Sequence, residues 1–212
     1  MTRMLKYYAL NSEINSFFYP SYFIWRIKTT DKKLFLTFDD GPTEKHTHYI
    51  LNCLDKYAVK GHFFCLGKQV EKHQSIFNEI LSQGHVAGNH TYSHRNGWKT
   101  SLHDYVKDIE KAGHFINSDI FRPPYGRITY KQAAALKNKF RIIMWSCLTA
   151  DYEKKMKPEQ CLNLSLRIKK PGSIIVFHDS DKASENLRYV LPRFIERCVD
   201  EGYKFSILNH FL

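Results

Sequence analysis

The stretch Phe38-Asp39-Asp40-Gly41-Pro42 follows the apolar run Leu34-Phe35-Leu36 and sets two carboxylates side by side at the end of a strand-like segment. Burial and like-charge repulsion push such a pair toward protonation unless a cation or hydrogen-bond donors offset them. His90 and His94 lie four residues apart further along the chain. On one helical turn that spacing points both imidazoles the same way. With one carboxylate they form a two-His, one-Asp ligand set that leaves positions open for water and substrate. The other reactive types are Arg122, Asp151 and the pair His178-Asp179. A base and an acid from opposite loops would suit hydrolysis at such a site, the base taking a proton from water and the acid giving one to the leaving group.

From residue 31 onward, short apolar runs alternate with segments of helical period. Strands are predicted at 34–38, 62–66, 85–88, 120–122, 141–145, 173–177 and 204–207, and helices at 46–58, 68–83, 101–117, 129–138, 157–169 and 184–201. Gly61, Gly84, Gly172 and Gly202 each precede a predicted strand, where the preceding helix must turn back. Seven β/α units winding in one direction imply an α/β fold, an irregular (β/α)7 barrel more than an open sheet. The reactive residues then fall at strand C-termini: Asp39 and Asp40 after the first strand, His90 and His94 after the third, Arg122 after the fourth, Asp151 after the fifth, and His178-Asp179 after the sixth. In such barrels those ends converge on one mouth.

With 212 residues, 43% of them hydrophobic, the chain is long enough to bury a full core. One domain over 31–212, preceded by an aromatic-rich extension over 1–30 that packs on it, is the economical organisation. No secretory or membrane-spanning segment is read, which leaves the cytoplasm as the default location and the cell envelope as the alternative. Five widely spaced cysteines without a Cys-x-x-Cys pair suggest buried apolar residues, not a disulfide framework or a thiolate metal site. The net charge of +11 favours anionic partners. Its lysines are scattered and form no arginine-rich arm, so nucleic acid is not expected.

Four short motifs occur in order: Thr37-Phe38-Asp39-Asp40-Gly41-Pro42, His90-Thr91-Tyr92-Ser93-His94, Arg122-Pro123-Pro124-Tyr125-Gly126 and Ile175-Val176-Phe177-His178-Asp179. In these the chain resembles the polysaccharide deacetylases of carbohydrate esterase family four, over most of residues 31–207. The resemblance implies a distorted β/α barrel and metal-dependent removal of acetyl groups from an N-acetylated, chitin- or peptidoglycan-like glycan. It implies Asp40, His90 and His94 as ligands of a divalent cation, zinc first and cobalt or manganese next. Asp39 matches the general base, His178 the general acid and Arg122 the residue that holds the base. The backbone N–H of Tyr125 matches an oxyanion donor. Tyr152, where the family has Trp, keeps an aromatic face for a sugar ring, and Ile175 is expected to line a slot for the acetyl methyl.

One motif departs from the family pattern. Where the family reads Asp-x-x-Asp-Trp, this chain reads Leu148-Thr149-Ala150-Asp151-Tyr152. The carboxylate associated with the catalytic histidine is thereby replaced by Leu148, and support for His178 would fall to Asp151 or Asp179. Two other functions compete with deacetylation of a glycan. One keeps the metal chemistry but acts on a small cyclic amide or an O-acetyl ester. The other is a catalytically silent sugar- or metal-binding module, against which the retained Asp39, His178 and Arg122 argue.

Overall fold

A computed structural model describes residues 19–208. Among the described residues nine strands and seven α-helices follow one another: β1 (Phe23–Ile24), β2 (Lys33–Asp39), α1 (Glu44–Lys56), β3 (His62–Cys65), α2 (Gly67–Lys72), α3 (Gln74–Ser82), β4 (Val86–Asn89), α4 (Leu102–Gly113), β5 (Ile120–Phe121), α5 (Tyr130–Leu136), β6 (Arg141–Ile143), β7 (Cys147–Leu148), α6 (Pro158–Ile168), β8 (Ile174–His178), α7 (Ser184–Asp200) and β9 (Lys204–Phe205). All the strand pairs are parallel, in the order β1-β6-β5-β4-β3-β2-β8-β7, with β9 beside the start of β2. The curled sheet with its outer helices is the predicted irregular barrel in a single domain.

Strand alternation divides the core. Leu34, Leu36, Phe38, Phe63, Ile175 and Phe177 face outward and pack with helix residues such as Ile50, Leu54, Leu164, Leu187 and Phe194. Phe35, Phe64, Ile120, Ile143 and Ile174 form a second cluster on the inner face, with Ile27 and Leu208. The helices carry matching stripes; α7 buries Leu187, Val190, Leu191, Phe194, Ile195 and Cys198, a spacing of three and four residues. At about 25 cal/mol per Å² of apolar surface removed from water, these stripes supply the main force that seats the helices on the sheet. All five cysteines are free and buried, and burial pushes every thiol upward.

Several elements differ from expectation. The segment 68–83 is two helices, because His73 (φ −125°, ψ 49°) leaves helical geometry between them. Two further strands were not predicted, each of two residues and too short for a periodic signal. The first, β1, pairs with β6, and the chain after it reaches across the opening of the barrel: Ile27 donates its backbone N–H to Gly172 O at 3.0 Å, and Arg26 forms an antiparallel bridge with Ser173. Gly172 (φ +81°) permits this approach, since a Cβ there would lie 1.9 Å from Ile27 O. Phe23 and Trp25 bury themselves in a third cluster with Phe121, Phe140 and Ile142. The predicted aromatic segment therefore joins the sheet from Phe23 onward, while Phe17 and Phe18 lie outside the described residues. None of the described helices is long and apolar enough to cross a membrane.

Candidate active site and metal centre

The loops after β2, β4, β5, β7 and β8 meet at the C-terminal mouth. At its centre lies Arg122, fully buried. Its guanidinium donates from Nη1 to Asp39 Oδ1 and Thr37 Oγ1, both at 2.7 Å, from Nε to Ile143 O at 3.1 Å and from Nη2 to Met144 O at 2.9 Å. The ring of Phe64 lies 4.1 Å from the guanidinium carbon. A charge this deep persists only when its donors are satisfied. Burial pulls the guanidinium down, while the Asp39 charge and hydrogen bond hold it up.

Asp39 and Asp40 part company because strand β2 ends between them. Asp39 points inward like Thr37 and Phe35, and Asp40 turns out of the strand at φ 83°. Asp40 Oδ1 is buried and has no aligned hydrogen-bond partner, 3.2 Å from His94 Nε2 and 3.7 Å from His90 Nε2. His90 Nδ1 donates to Arg122 O at 2.7 Å, which leaves Nε2 with its lone pair, and burial lowers this imidazole to about 4. His94 Nδ1 meets the Tyr125 hydroxyl at 3.1 Å. Burial pushes the Asp40 carboxyl up, but its contact with His94 and the electrostatic attraction of His178, His90 and His94 hold it well below the usual carboxylate range. One ligand atom each from Asp40, His90 and His94 lie within 4.8 Å of one another. An unsatisfied carboxylate oxygen facing two imidazole nitrogens is a donor set that fits a divalent cation.

The two histidines reach this arrangement without a helix, contrary to expectation. Residues 90–94 form an irregular loop, with Thr91 (φ 67°) and His94 (φ 59°) in the left-handed region. The N–H groups that a helix would use are taken elsewhere: Asn89 Oδ1 accepts from Thr91 N at 2.8 Å, and Asp108 Oδ2 accepts from Tyr92 N and Ser93 N at 2.9 and 3.0 Å. Asn89 and Asp108 were not singled out in the sequence, and their spacing gives no signal of this contact.

His178 stands at the cross-strand position paired with Asp39, so the expected acid and base come from the neighbouring strands β8 and β2 and not from opposite loops. Its Nδ1 donates to Asp151 Oδ1 at 2.8 Å, and its backbone N–H donates to Asp151 Oδ2 at 2.7 Å. The departure at Leu148 is thus answered by Asp151, itself held through Asn186 Nδ2, which donates to Asp151 O at 2.9 Å. Burial opposes the imidazolium, yet the charge and hydrogen bond of Asp151, followed by the charges of Asp40 and Asp39, raise His178 to about 9. Asp179, the other candidate, instead faces α1, where it accepts from the hydroxyls of Thr43, at 2.7 Å, and Thr47. Its backbone N–H donates to Asp39 O at 2.8 Å. Burial, partly offset by those hydroxyls, raises its carboxyl to about 6.

Three further residues were expected near the substrate. Tyr125 sits at the rim in the left-handed region (φ 60°), with its ring edge-on to His94 at 4.6 Å. The Tyr152 ring lies edge-on to His178 at 4.9 Å. Ile175 is not at the mouth. It shares the register and face of Leu36 and is buried against the helices, one residue out of phase with His178. Val176, two residues before His178 and paired with Thr37, faces inward as Ile174 does and lies next to the expected acid.

Fold and site together are those of a β/α barrel in which an arginine-held carboxylate and a carboxylate-held histidine flank an Asp-His-His cluster that fits a metal ion. A sequence model of polysaccharide deacetylases matches residues 26–141, and the chain belongs to that family, whose members are metal-dependent hydrolases. It is 39% identical over 181 residues to a peptidoglycan-N-acetylglucosamine deacetylase of Bacillus cereus, a match covering 82% of this chain and 66% of the relative. A second Bacillus cereus protein of the same description is 26% identical over 199 residues, covering 90% of this chain and 93% of its own. The fold superposes with a TM-score of 0.85 and 31% identity on the crystal structure of the Bc1960 peptidoglycan N-acetylglucosamine deacetylase in complex with 4-naphthalen-1-yl-N-oxidanyl-benzamide. That match covers 90% of this chain and 92% of the other.

Proposed function

We propose that this protein hydrolyses the acetamido group of N-acetylglucosamine residues in peptidoglycan. The observation that carries the reading is the pairing of Asp39, fixed by Arg122, with His178, fixed by Asp151, beside Asp40, His90 and His94. The similarity to the Bacillus cereus deacetylases supports the choice of substrate. A divalent cation held by Asp40, His90 and His94, zinc before cobalt or manganese, would supply Lewis acidity that makes water a nucleophile near neutral pH and polarises the acetyl carbonyl.

The chain's own residues do the rest. Arg122 holds Asp39 in one orientation by a charge-assisted hydrogen bond, so that Asp39 accepts the proton of the attacking water. The backbone N–H of Tyr125 donates to the carbonyl oxygen as charge builds on it. His178, protonated because Asp151 stabilises the imidazolium, gives its proton to the leaving amine nitrogen, and Tyr152 presents an aromatic face to the sugar ring. The test is acetate release from N-acetylglucosamine oligomers and from peptidoglycan. Release should stop with a chelator, return with zinc, cobalt or manganese, and be absent in Asp39→Asn, which should still bind the metal. Hydrolysis confined to O-acetyl esters or cyclic amides, or no hydrolysis by the metal-loaded protein, overturns the reading.

A further inference from the structure

A recess of about 560 Å³ opens between the loops that follow β7 and β8, on the same side of the barrel as the catalytic residues. Lys154, Lys155, Lys157 and Lys182 line it, together with Asp181 and Glu185. Among the described residues none of these four ammonium groups is ion-paired, whereas Asp181 is engaged by His46 Nε2 at 2.8 Å. The lining therefore carries an excess of unpaired positive charge. Helices α6 and α7 both begin at this recess, and their N-terminal dipoles add to the positive potential.

The recess adjoins the catalytic acid. Asn186 in its wall is the residue that donates to Asp151 O, and Tyr152, two residues before Lys154, lies against His178. A glycan with its acetamido group at His178 would extend a neighbouring sugar, or a branch on it, toward these lysines. Neutral sugars offer four ammonium groups nothing to neutralise. Carboxylates do, and long-range attraction would also gather an anionic strand at the mouth.

We propose that the lysine-lined recess is a subsite for carboxylates of the peptide branch carried by the sugar adjacent to the one deacetylated. This inference rests on the peptidoglycan reading above and assigns the recess the part of the substrate that chitin lacks. The lysines are exposed and touch no catalytic side chain, so their removal is expected to leave the chemistry itself intact.

The test compares the parent with the quadruple variant Lys154→Ala, Lys155→Ala, Lys157→Ala, Lys182→Ala and with the corresponding four-arginine variant, on three soluble substrates. These are neutral N-acetylglucosamine oligomers, phosphate-free glycan fragments carrying the peptide branch, and the same fragments with their carboxylates amidated. For the alanine variant, KM on the peptide-bearing fragments should rise roughly tenfold, as expected for several exposed charge pairs acting together, with kcat kept. Its kinetics on the neutral oligomers and amidated fragments should match the parent's, and the arginine variant should restore the parent KM. Added salt should raise KM in the parent and not in the alanine variant. An equal loss on all three substrates, or no change on the peptide-bearing one, overturns the subsite. A parent inactive on both oligomers and fragments sinks the functional reading itself, which a missing lysine effect in an active parent does not.

Discussion

Replacing Asp151 by Asn tests the proposed acid step at the carboxylate that holds His178. The amide keeps the size of the carboxylate and one acceptor oxygen, but it removes the charge that does most to support the His178 imidazolium. Burial, the largest influence on this ring, acts against protonation. The imidazole should therefore fall from about 9 to its ordinary 6.5 or lower. At 1.36 kcal/mol per pH unit that amounts to roughly 3 kcal/mol of lost stabilisation of the protonated form. At pH 8 the protonated fraction drops from about 90% to about 3%, and kcat/KM on N-acetylglucosamine oligomers should drop roughly thirtyfold. At pH 6, where the ring would be mostly protonated in both proteins, most of that loss should disappear. The assay is acetate release across pH 5.5–10 with saturating metal. An alkaline limb that stays near 9 in Asp151→Asn, or a loss of the same size at every pH, would refute the reasoning. Linkage gives a second readout with a fixed sign. Because the folded pKa lies above the unfolded one, protonated His178 adds stability that is complete below pH 6.5 and is lost as the pH rises through 9, and the variant should lack that slope.

Three other outcomes follow from the same geometry. Arg122→Met strands Asp39 and two backbone carbonyls in the core, so denaturant unfolding should show a loss of roughly 3–5 kcal/mol, and a loss below about 1 would mean that the buried pair is not needed for folding. Asp179 has its folded pKa raised from 3.8 to about 6, so its protonated form contributes stability that is complete below pH 3.8 and lost by pH 6, roughly 3 kcal/mol in all. Asp179→Asn should abolish that decline, and parallel stability curves for the two proteins between pH 4 and 6 would contradict it. Gly172→Ala places a methyl against Ile27 O at a positive φ, so the melting temperature should fall by several degrees, for a cost of roughly 2 kcal/mol, and an unchanged value would show that the crossing segment adds nothing to the barrel.

Much of the fold is legible in the linear pattern because parallel β/α units are built from local signals. Each of the seven predicted strands lies within a residue or two of an observed one, since continuous apolar runs mark the strands and, at Gly84 and Gly202, a positive-φ glycine marks the helix end before the next strand. The two missed strands are held by pairing partners far away in sequence, and nothing in two residues announces a partner. The face of Ile175 is legible in the linear pattern. It is three residues before His178, and strand parity alone sends it to the opposite face, whereas Val176 shares the face of the acid.

The sequence by itself determined which chemical groups are present and which strand end carries each, because residue type and periodicity are properties of short segments. Only the tertiary structure decided how those groups answer one another. The spacing of His90 and His94 permitted a helical turn, but Asn89 and the distant Asp108 claim the backbone donors and fold an irregular loop instead. Leu148 left His178 without its expected partner, and Asp151 supplies the carboxylate from the same loop, fixed by Asn186 on another helix. The two adjacent aspartates separate in the same way. Asp39 is drawn to a guanidinium 83 residues away, and Asp40 turns toward the two histidines. Charges and hydrogen bonds act over a few ångströms of space, and which groups come within that distance is settled only when the barrel closes.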